Sequence, residues 1–213
     1  MTDTDEMAAT GKDRELDIAA LKALAHPLRV QLFDALSTYG SATASGLAER
    51  LGESSGATSY HLRQLEKHGL VREVPGKGTS RERWWERPPG AVNIGSKDAT
   101  DTPAGRSAAT LIFRELNINE QRMLIDFVNR GLDELSVEWQ DAAAVTTMNS
   151  TLTAAQLRKY VEEVSAIGEK YVRKYKGQKV AGARPVHIVF QAFPVMDAEE
   201  LTQDDLEERG GSK

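Results

Sequence analysis

A short stretch between Glu53 and Val71, ESSGATSYHLRQLEKHGLV, concentrates side chains that can recognise the edges of base pairs. Arginine can pair in a bidentate way with guanine, and glutamine with adenine, in the major groove. Serine, tyrosine and histidine can bind phosphate oxygens or base edges. The small residues Ser54, Ser55 and Gly56 let the start of a helix approach a duplex and offer amide groups to a phosphate. These residue types favour contact with duplex DNA.

Hydrophobic spacing predicts that residues 55–68 form a helix with two different faces. Ser54 suits the N-cap position, and Gly69 suits the end of the helix. Leu62 and Leu65 fall on the inward face, where they can join a core. The outer face and its flanks, which we expect to meet DNA, carry Gly56, Tyr60, His61, Arg63, Gln64 and Lys67.

The elements around this helix must position it. Helices are predicted over 15–25, 26–40 and 43–52, and strands over 70–74 and 81–87. The short connection around Gly52 forces two helices into a steep crossing, so that the first braces the second. A Gly/Pro-rich tip, PGKGTS at 75–80, joins the two strands. Lys77 at this tip, followed by Arg81 and Arg83, suits contact with the DNA backbone beside the groove.

Three segments carry a family resemblance: LKALAHPLRVQLFDAL, ASGLAERLGESSGATSYHLRQLEKHGLV and GKGTSRERWW. Over about residues 18–88 they resemble the ArsR/SmtB-type winged helix-turn-helix transcriptional regulators. The resemblance implies a homodimer that binds an imperfect palindromic operator in double-stranded DNA, usually as a repressor relieved by an effector. Position by position, it implies DNA contacts by Ser55, Gly56, Ser59, Tyr60, His61 and Arg63, with Lys77 and Arg81 on the wing.

The chain departs from the founding members of that family, which sense metal through a cysteine-containing motif. The corresponding helix reads TASGLAERL, and the chain has no cysteine, which also excludes disulfide bonds and thiolate catalysis. His61 and His68 would lie about 10.5 Å apart along one helix, too far to share an ion. We therefore expect no metal site and no cofactor, and a non-metal small molecule as the effector.

The second half of the chain predicts a helical region with a small sheet. Helices are predicted over 106–138, with a break at NINE (117–120), and over 153–175; strands are predicted over 142–152 and 184–194. The helices carry more apolar residues than one surface helix needs, which indicates dimerisation. Pairing of the two strands over the last helix would make a site for an apolar effector. The expected fold class is mainly α with small β (α+β): a winged helix-turn-helix domain, then a helical dimerisation region with a small two-stranded sheet.

Charge and composition set the expected organisation of the 213 residues. The net charge of -5 comes from acidic ends around a mildly basic segment at 50–87. We expect a disordered acidic arm at 1–14, a winged helix-turn-helix domain at 15–90, a linker at 91–105, a dimerisation and effector-binding region at 106–196 and an acidic tail at 197–213. No apolar run approaches the about 18 residues that span a bilayer, and no signal peptide is recognisable, so we expect no membrane partner and a cytoplasmic location.

Two alternatives from other classes stay open. One is a winged-helix protein–protein interaction module without sequence-specific DNA binding, which would lack the steep salt dependence of phosphate contacts. The other is an enzyme with a winged-helix appendage, in which a cleft within 106–195 would collect titratable groups with perturbed pKa values. The sequence has no Gly-rich phosphate loop, nucleophile elbow or metalloprotease helix, so we expect no enzymatic activity.

Overall fold

The structure, a computed structural model, describes residues 14–79, 82–90, 92–94, 100–175, 177–178 and 180–201. The helices are α1 (Ile18–Leu24), α2 (Pro27–Tyr39), α3 (Ala44–Leu51), α4 (Ser55–Lys67), α5 (Pro103–Glu134), α6 (Val137–Ala142) and α7 (Ala154–Tyr175). The strands are β1 (Arg14–Glu15), β2 (Ala42–Thr43), β3 (Arg72–Thr79), β4 (Glu82–Glu86) and β5 (Val92–Asn93). The expectations for residues 1–13, Arg81, residues 95–99 of the linker and residues 202–213 of the tail lie outside this description.

The first four helices surround one hydrophobic core. Leu21 of α1, Leu32 of α2, and Leu62 and Leu65 of α4 are fully buried in it. Burial of a leucine side chain contributes about 1.5–3 kcal/mol, so these contacts fix α4 against its neighbours. Gly52 ends α3 in the left-handed conformation, with φ 69°, and allows the tight turn into α4. The inward face predicted for α4 is confirmed.

A three-stranded antiparallel sheet in the order β2-β4-β3 lies beside these helices. The hairpin of β3 and β4 forms the predicted wing, and β2 adds a third strand that sequence patterns did not indicate. Ala42 of β2 pairs with Trp85 of β4, whose side chain is buried, so the sheet is anchored to the helical core. A separate parallel pairing joins β1 to β5, with Glu15 opposite Asn93.

Helix α5 starts by completing the same core. The Thr102 hydroxyl accepts a hydrogen bond from the Gly105 amide at 3.0 Å and caps the helix. Ala108, Ala109 and Ile112 are then buried in the core that α1 and α2 contribute to. The first turns of α5 are therefore part of the packing that holds the winged helix together.

The break expected at 117–120 was wrong, because α5 continues through this segment. Two asparagines in it have partners that support the helix. Gln121 Nε2 donates a hydrogen bond to Asn117 Oδ1 at 3.0 Å, one turn away. Asn119 Nδ2 donates to Asp34 Oδ2 on α2. These contacts outweigh the modest helix propensity of asparagine.

The small sheet expected in the second half does not form within the described residues, and both strand predictions there were wrong. Residues 143–153 and 183–195 contain no strand. Their β-branched side chains are exposed: 62% for Val145, 62% for Val186 and 73% for Ile188. β-propensity reflects packing on a half-buried pleated surface, and these segments have no such surface. The helix predicted over 153–175 is confirmed as α7.

The chain divides into two compact units, Met1–Thr146 with Lys179–His187, and Thr147–Gln178 with Ile188–Lys213. The first unit contains the winged helix, α5 and α6, and the second contains α7. Within the second unit, Tyr160 of α7 contacts Phe190, with ring centroids 5.9 Å apart. No helix among the described residues of either unit is long and apolar enough to cross a bilayer.

Candidate nucleic-acid interface

Helix α4 is held by a capped start and a buried inner face. Ser54 Oγ accepts a hydrogen bond from the Ala57 amide at 3.2 Å, which satisfies one of the free donors at the helix start. Thr58, Leu62 and Leu65 are fully buried along the inner face. These contacts set the position of α4 from one side, and they leave the opposite side to solvent.

The outer face of α4 carries the predicted contact residues at two depths. Ser54, Ser55, Gly56, Tyr60, Arg63 and Lys67 are exposed, and Ser59, His61 and Gln64 are half-buried. Tyr60 leaves 56% of its surface in solvent, although a tyrosine ring gains from burial. A Cβ built on Gly56 would meet no atom within 4 Å. A phosphate can therefore approach the first turn of α4 without displacing a side chain.

A polar depression lies beside the first turns of α4. Its volume is about 420 Å³, and the hydroxyl and guanidinium groups that line it belong to Thr43, Ser45, Ser55, Ser59, Arg63 and Arg83. Hydroxyl and guanidinium donors are among the groups that contact DNA phosphates. Glu82 also lines the depression and opposes this charge. Thr43 and Ser45, at the start of α3, were not among the predicted contacts. For Thr43, the sequence signal was a hydroxyl residue at the expected N-cap of α3. In the structure its Oγ1 accepts a hydrogen bond from the Gly46 amide at 3.1 Å.

Lys77 is bound back against the domain. Its Nζ donates a hydrogen bond to Ser41 Oγ at 2.7 Å and lies 3.7 Å from the centroid of the Trp84 ring. Gly78 permits this turn, because its φ is 94° and a Cβ there would overlap the Glu82 carbonyl oxygen. Lys77 must give up these contacts before it can reach a phosphate.

Two ion pairs brace the wing. Arg83 Nη1 lies 3.4 Å from Glu73 Oε2, and Arg72 Nη2 lies 2.6 Å from Glu86 Oε1. Exposed pairs of this kind contribute about 0–1 kcal/mol, so a phosphate can compete for the Arg83 guanidinium. Arg81, the other wing arginine, lies outside the described residues.

His61 is half-buried on the outer face. Its ring centroid is 4.4 Å from that of His26 and 5.1 Å from that of Tyr60. Burial, and then the charges of His26 and Arg29, lower the pKa of His61 from its ordinary value, while Glu53 acts in the opposite direction. His26 precedes α2 and is distant along the chain, so sequence spacing did not reveal this pair.

Among the described residues of 106–195, the shifted pKa values belong to an exposed set of ion pairs on α5. Arg130 donates hydrogen bonds to Glu134 at 2.7 Å and to Asp126 at 3.0 Å. These contacts raise the pKa of Arg130, and the contact with Arg130 lowers the pKa of Glu134. These groups lie one turn apart on the helix surface, where such pairs support the helix. In the part of the chain that the structure describes, no group of three or more His, Asp or Glu side chains is arranged to hold a metal ion.

Comparison with known families covers the segment that carries this surface. Residues 24–74 match the family described as Helix-turn-helix domain. The chain contains a helix-turn-helix domain. This domain runs from the end of α1 through α2, α3 and α4 into β3, so it includes the helix with the polar outer face. The helix-turn-helix order predicted from the sequence is confirmed.

Three solved structures are similar to the chain at low TM-scores. One, described as a possible transcriptional regulator for arsenical resistance, is 27% identical over 51% of this chain and 95% of its own, with a TM-score of 0.29. The heme sensor protein PefR from Streptococcus agalactiae, in complex with heme, is 14% identical over 74% and 82%, with a TM-score of 0.29. RV1404 from Mycobacterium tuberculosis is 16% identical over 77% and 85%, with a TM-score of 0.28. Scores of this size establish no shared overall fold, and no curated protein matches the chain in sequence.

Proposed function

We propose that the chain is a dimeric transcriptional regulator, without enzymatic activity, that binds operator DNA in the cytoplasm. Helix α4 lies in the major groove, and the wing of β3 and β4 lies against the neighbouring backbone. The proposed contacts are Ser54, Ser55, Gly56, Ser59, Tyr60, Arg63, Gln64 and Lys67 on the outer face, with Lys77, Arg81 and Arg83 on the wing. His61, which is half-buried on the same face, is also a proposed contact.

The observation that carries the proposal is the polar outer face of a helix whose inner face is fully buried. Arg63 is exposed on this face and lines the polar depression. A guanidinium there can bind guanine O6 and N7 together. The buried core of a surface that binds proteins is typically apolar. The outer face of α4 presents one large aromatic residue, Tyr60, among polar and small side chains, which favours DNA over a protein ligand.

Apolar side chains along α5 support a dimer. Leu124, Val128 and Leu132 expose 44%, 58% and 77% of their surface. Their four-residue spacing places them on one stripe of the helix, and exposed apolar stripes mark contacts with another protein. One winged helix reads half of a palindromic site, so the partner that we propose is a second copy of the chain.

We further propose that the regulator is a repressor that a small molecule releases from DNA. Repression relieved by an effector is what the resemblance to ArsR/SmtB-type regulators implies. The helix that carries the metal-sensing motif in the founding members reads TASGLAERL here, which supports a non-metal effector. The region that we assign to this effector is 106–196.

Selection of duplexes from a random library with the full-length protein tests the proposal. Fluorescence anisotropy on a selected and a scrambled duplex should show tighter binding to the selected one. If the protein makes about 6–10 phosphate contacts, raising the salt concentration from about 50 to 200 mM should weaken that binding about 10³–10⁵-fold. An affinity that does not depend on salt, or a selection that enriches no sequence, would contradict the proposed DNA-binding function and favour a protein–protein interaction module.

A further inference from the structure

Two histidines meet beneath the outer face of α4. The ring centroids of His26 and His61 are 4.4 Å apart, and the ring planes are inclined at 38°. The Nδ1 atoms of both rings are buried and have no hydrogen-bond partner. A buried polar atom without a partner costs free energy. A change of protonation at this contact therefore has a direct structural consequence.

The histidine pair connects α2 to the face proposed to meet DNA. His26 is the N-cap residue of α2, and His61 is on α4. The His61 ring meets the ring of Tyr60 edge-on at 5.1 Å, and Tyr60 is exposed on the outer face. Movement of His61 away from His26 therefore disturbs the packing of α4 against α2 and the position of Tyr60, a proposed contact residue.

The charged groups that face His61 make its protonated state unfavourable. Arg29, on α2, has a buried Nε atom without a hydrogen-bond partner, and its charge acts on His61. Glu53, in the turn before α4, is the carboxylate that acts on His61, and it is exposed. The charges of His26 and Arg29 repel an imidazolium at His61, and one solvent-screened carboxylate offsets little of this repulsion.

We propose that protonation of His61, against the ring of His26, weakens operator binding, so that the regulator responds to acidification through the packing of α4 on α2. The inference rests on the proposed function and adds a form of regulation to the same site. In the neutral state the two rings pack together and hold the outer face in place. In the protonated state the rings separate, and His61 and Tyr60 leave the positions that meet DNA.

The sign of the effect follows from the surroundings of His61. Burial, His26 and Arg29 lower its pKa in the packed state, and separation of the rings returns the pKa towards about 6.5. The separated state then binds more protons, so the packed state loses stability as the pH falls through about 6.5, until the pH passes the lowered pKa. Added positive charge by itself strengthens DNA binding, so a loss of affinity on acidification is opposite in sign to the general effect.

The test compares operator affinity at pH 7.5 and 5.5, at constant ionic strength, for the full-length protein and a duplex selected at pH 7.5. The ratio of the two dissociation constants should show a loss on the order of tenfold for the native chain. His26→Phe keeps an aromatic ring without its charge, so the loss should shrink. His68→Gln, at the C-cap of the same helix, is the matched control and should keep the native ratio. Because each variant is compared with itself, a change of affinity at pH 7.5 cancels.

An NMR titration of the imidazole signals separates this inference from the proposed function. His61 should titrate below the ordinary range in the native chain, and its pKa should rise in His26→Phe. Tighter binding at pH 5.5, or one pH ratio shared by the native chain and both variants, overturns the inference while the proposed function stands. If no duplex binds at pH 7.5, the proposed function and its regulation fail together, and the titration still decides whether the two rings are coupled.

Discussion

The regions before and after Ile112 differ in where their apolar side chains lie. From Leu16 to Ile112, the helices and Trp85 fill one core. Beyond Leu116, the large apolar side chains that the structure describes are mostly exposed, up to 91% at Met196. Monomeric proteins rarely expose apolar surface on this scale. The first region thus stabilises its own fold, and the second exposes the apolar surface to which we assign the proposed partner.

Helices α4 and α7 show the same contrast within single elements. Helix α4 buries Leu62 and Leu65 and exposes a polar face. Helix α7 fully buries none of its residues, and Ile167, Tyr171 and Val172 each expose more than half of their surface. An exposed polar face suits a charged ligand such as DNA, whereas an exposed apolar face suits another protein chain.

The largest effect should come from breaking the first region at Leu62. Leu62→Ala leaves a cavity in the core and should lower the free energy of unfolding by about 2–5 kcal/mol, as measured by urea-induced unfolding. Leu132→Ala is the matched control, because Leu132 is 77% exposed. At concentrations where the chain is monomeric, this control should change stability by no more than about 0.5 kcal/mol. Equal losses under those conditions would remove the contrast between the two regions.

Arg63→Ala should produce the next largest effect, on DNA binding. Loss of a bidentate contact with guanine should weaken binding to the selected duplex by about 1–3 kcal/mol more than binding to a scrambled duplex. Lys77→Ala should weaken both duplexes alike and by less, because Lys77 is engaged with Ser41 and Trp84. Anisotropy titrations at one salt concentration measure both. If Arg63→Ala weakens the two duplexes equally, Arg63 contacts only phosphate.

Substitution of Gly56 should separate folding from DNA binding. Gly56→Ala places a methyl group in open space on α4, which should stabilise the chain by up to about 1 kcal/mol. The same methyl group stands between the helix and a phosphate, so affinity for the selected duplex should fall, and Gly56→Leu should lower it further. Thermal unfolding and anisotropy measure the two effects. A series in which affinity does not depend on side-chain size would mean that no phosphate approaches the first turn.

The smallest effect should come from Asp34, which joins α2 to α5 through Asn119. Burial raises the pKa of Asp34, although His187 and Asn119 act in the opposite direction. Its folded pKa therefore lies above the unfolded value, so its contribution to stability is present at acid pH and is lost as the pH rises. Asp34→Asn should stabilise the chain at pH 7 by less than about 1 kcal/mol and give no gain below about pH 4. Asp126→Asn, at an exposed carboxylate paired with Arg130, should give no gain at pH 7, and a larger gain there than at Asp34 would contradict this account.

The helix-turn-helix elements were predictable because local signals and packing agree there. Ser54 caps α4, Gly52 ends α3, and Leu62 and Leu65 are buried as their spacing indicated. The polar outer face of α4 followed from the same spacing. The sequence therefore predicted that Arg63 and Tyr60 are exposed. It did not predict which groups each of them contacts.

The remaining features depend on contacts between distant residues, which local patterns do not encode. The short strand β2 exists because Ala42 meets Trp85, and the bound-back position of Lys77 depends on Ser41 and Trp84. The β-branched residues of 143–153 resembled a strand, but no neighbouring strand pairs with them in the described residues. Tertiary context decides such cases, since β-propensity is a property of packing.

The most direct test of the central claim, that α4 reads bases in the major groove, is methylation of guanine N7 in a selected duplex with and without the full-length protein. We expect two protected patches, one for each subunit, with centres about 10–10.5 base pairs apart or a multiple of that spacing. Arg63→Ala should restore guanine reactivity in both patches while the duplex stays bound at high protein concentration. Guanines that remain fully reactive in the bound native complex would show that α4 does not read bases in the major groove.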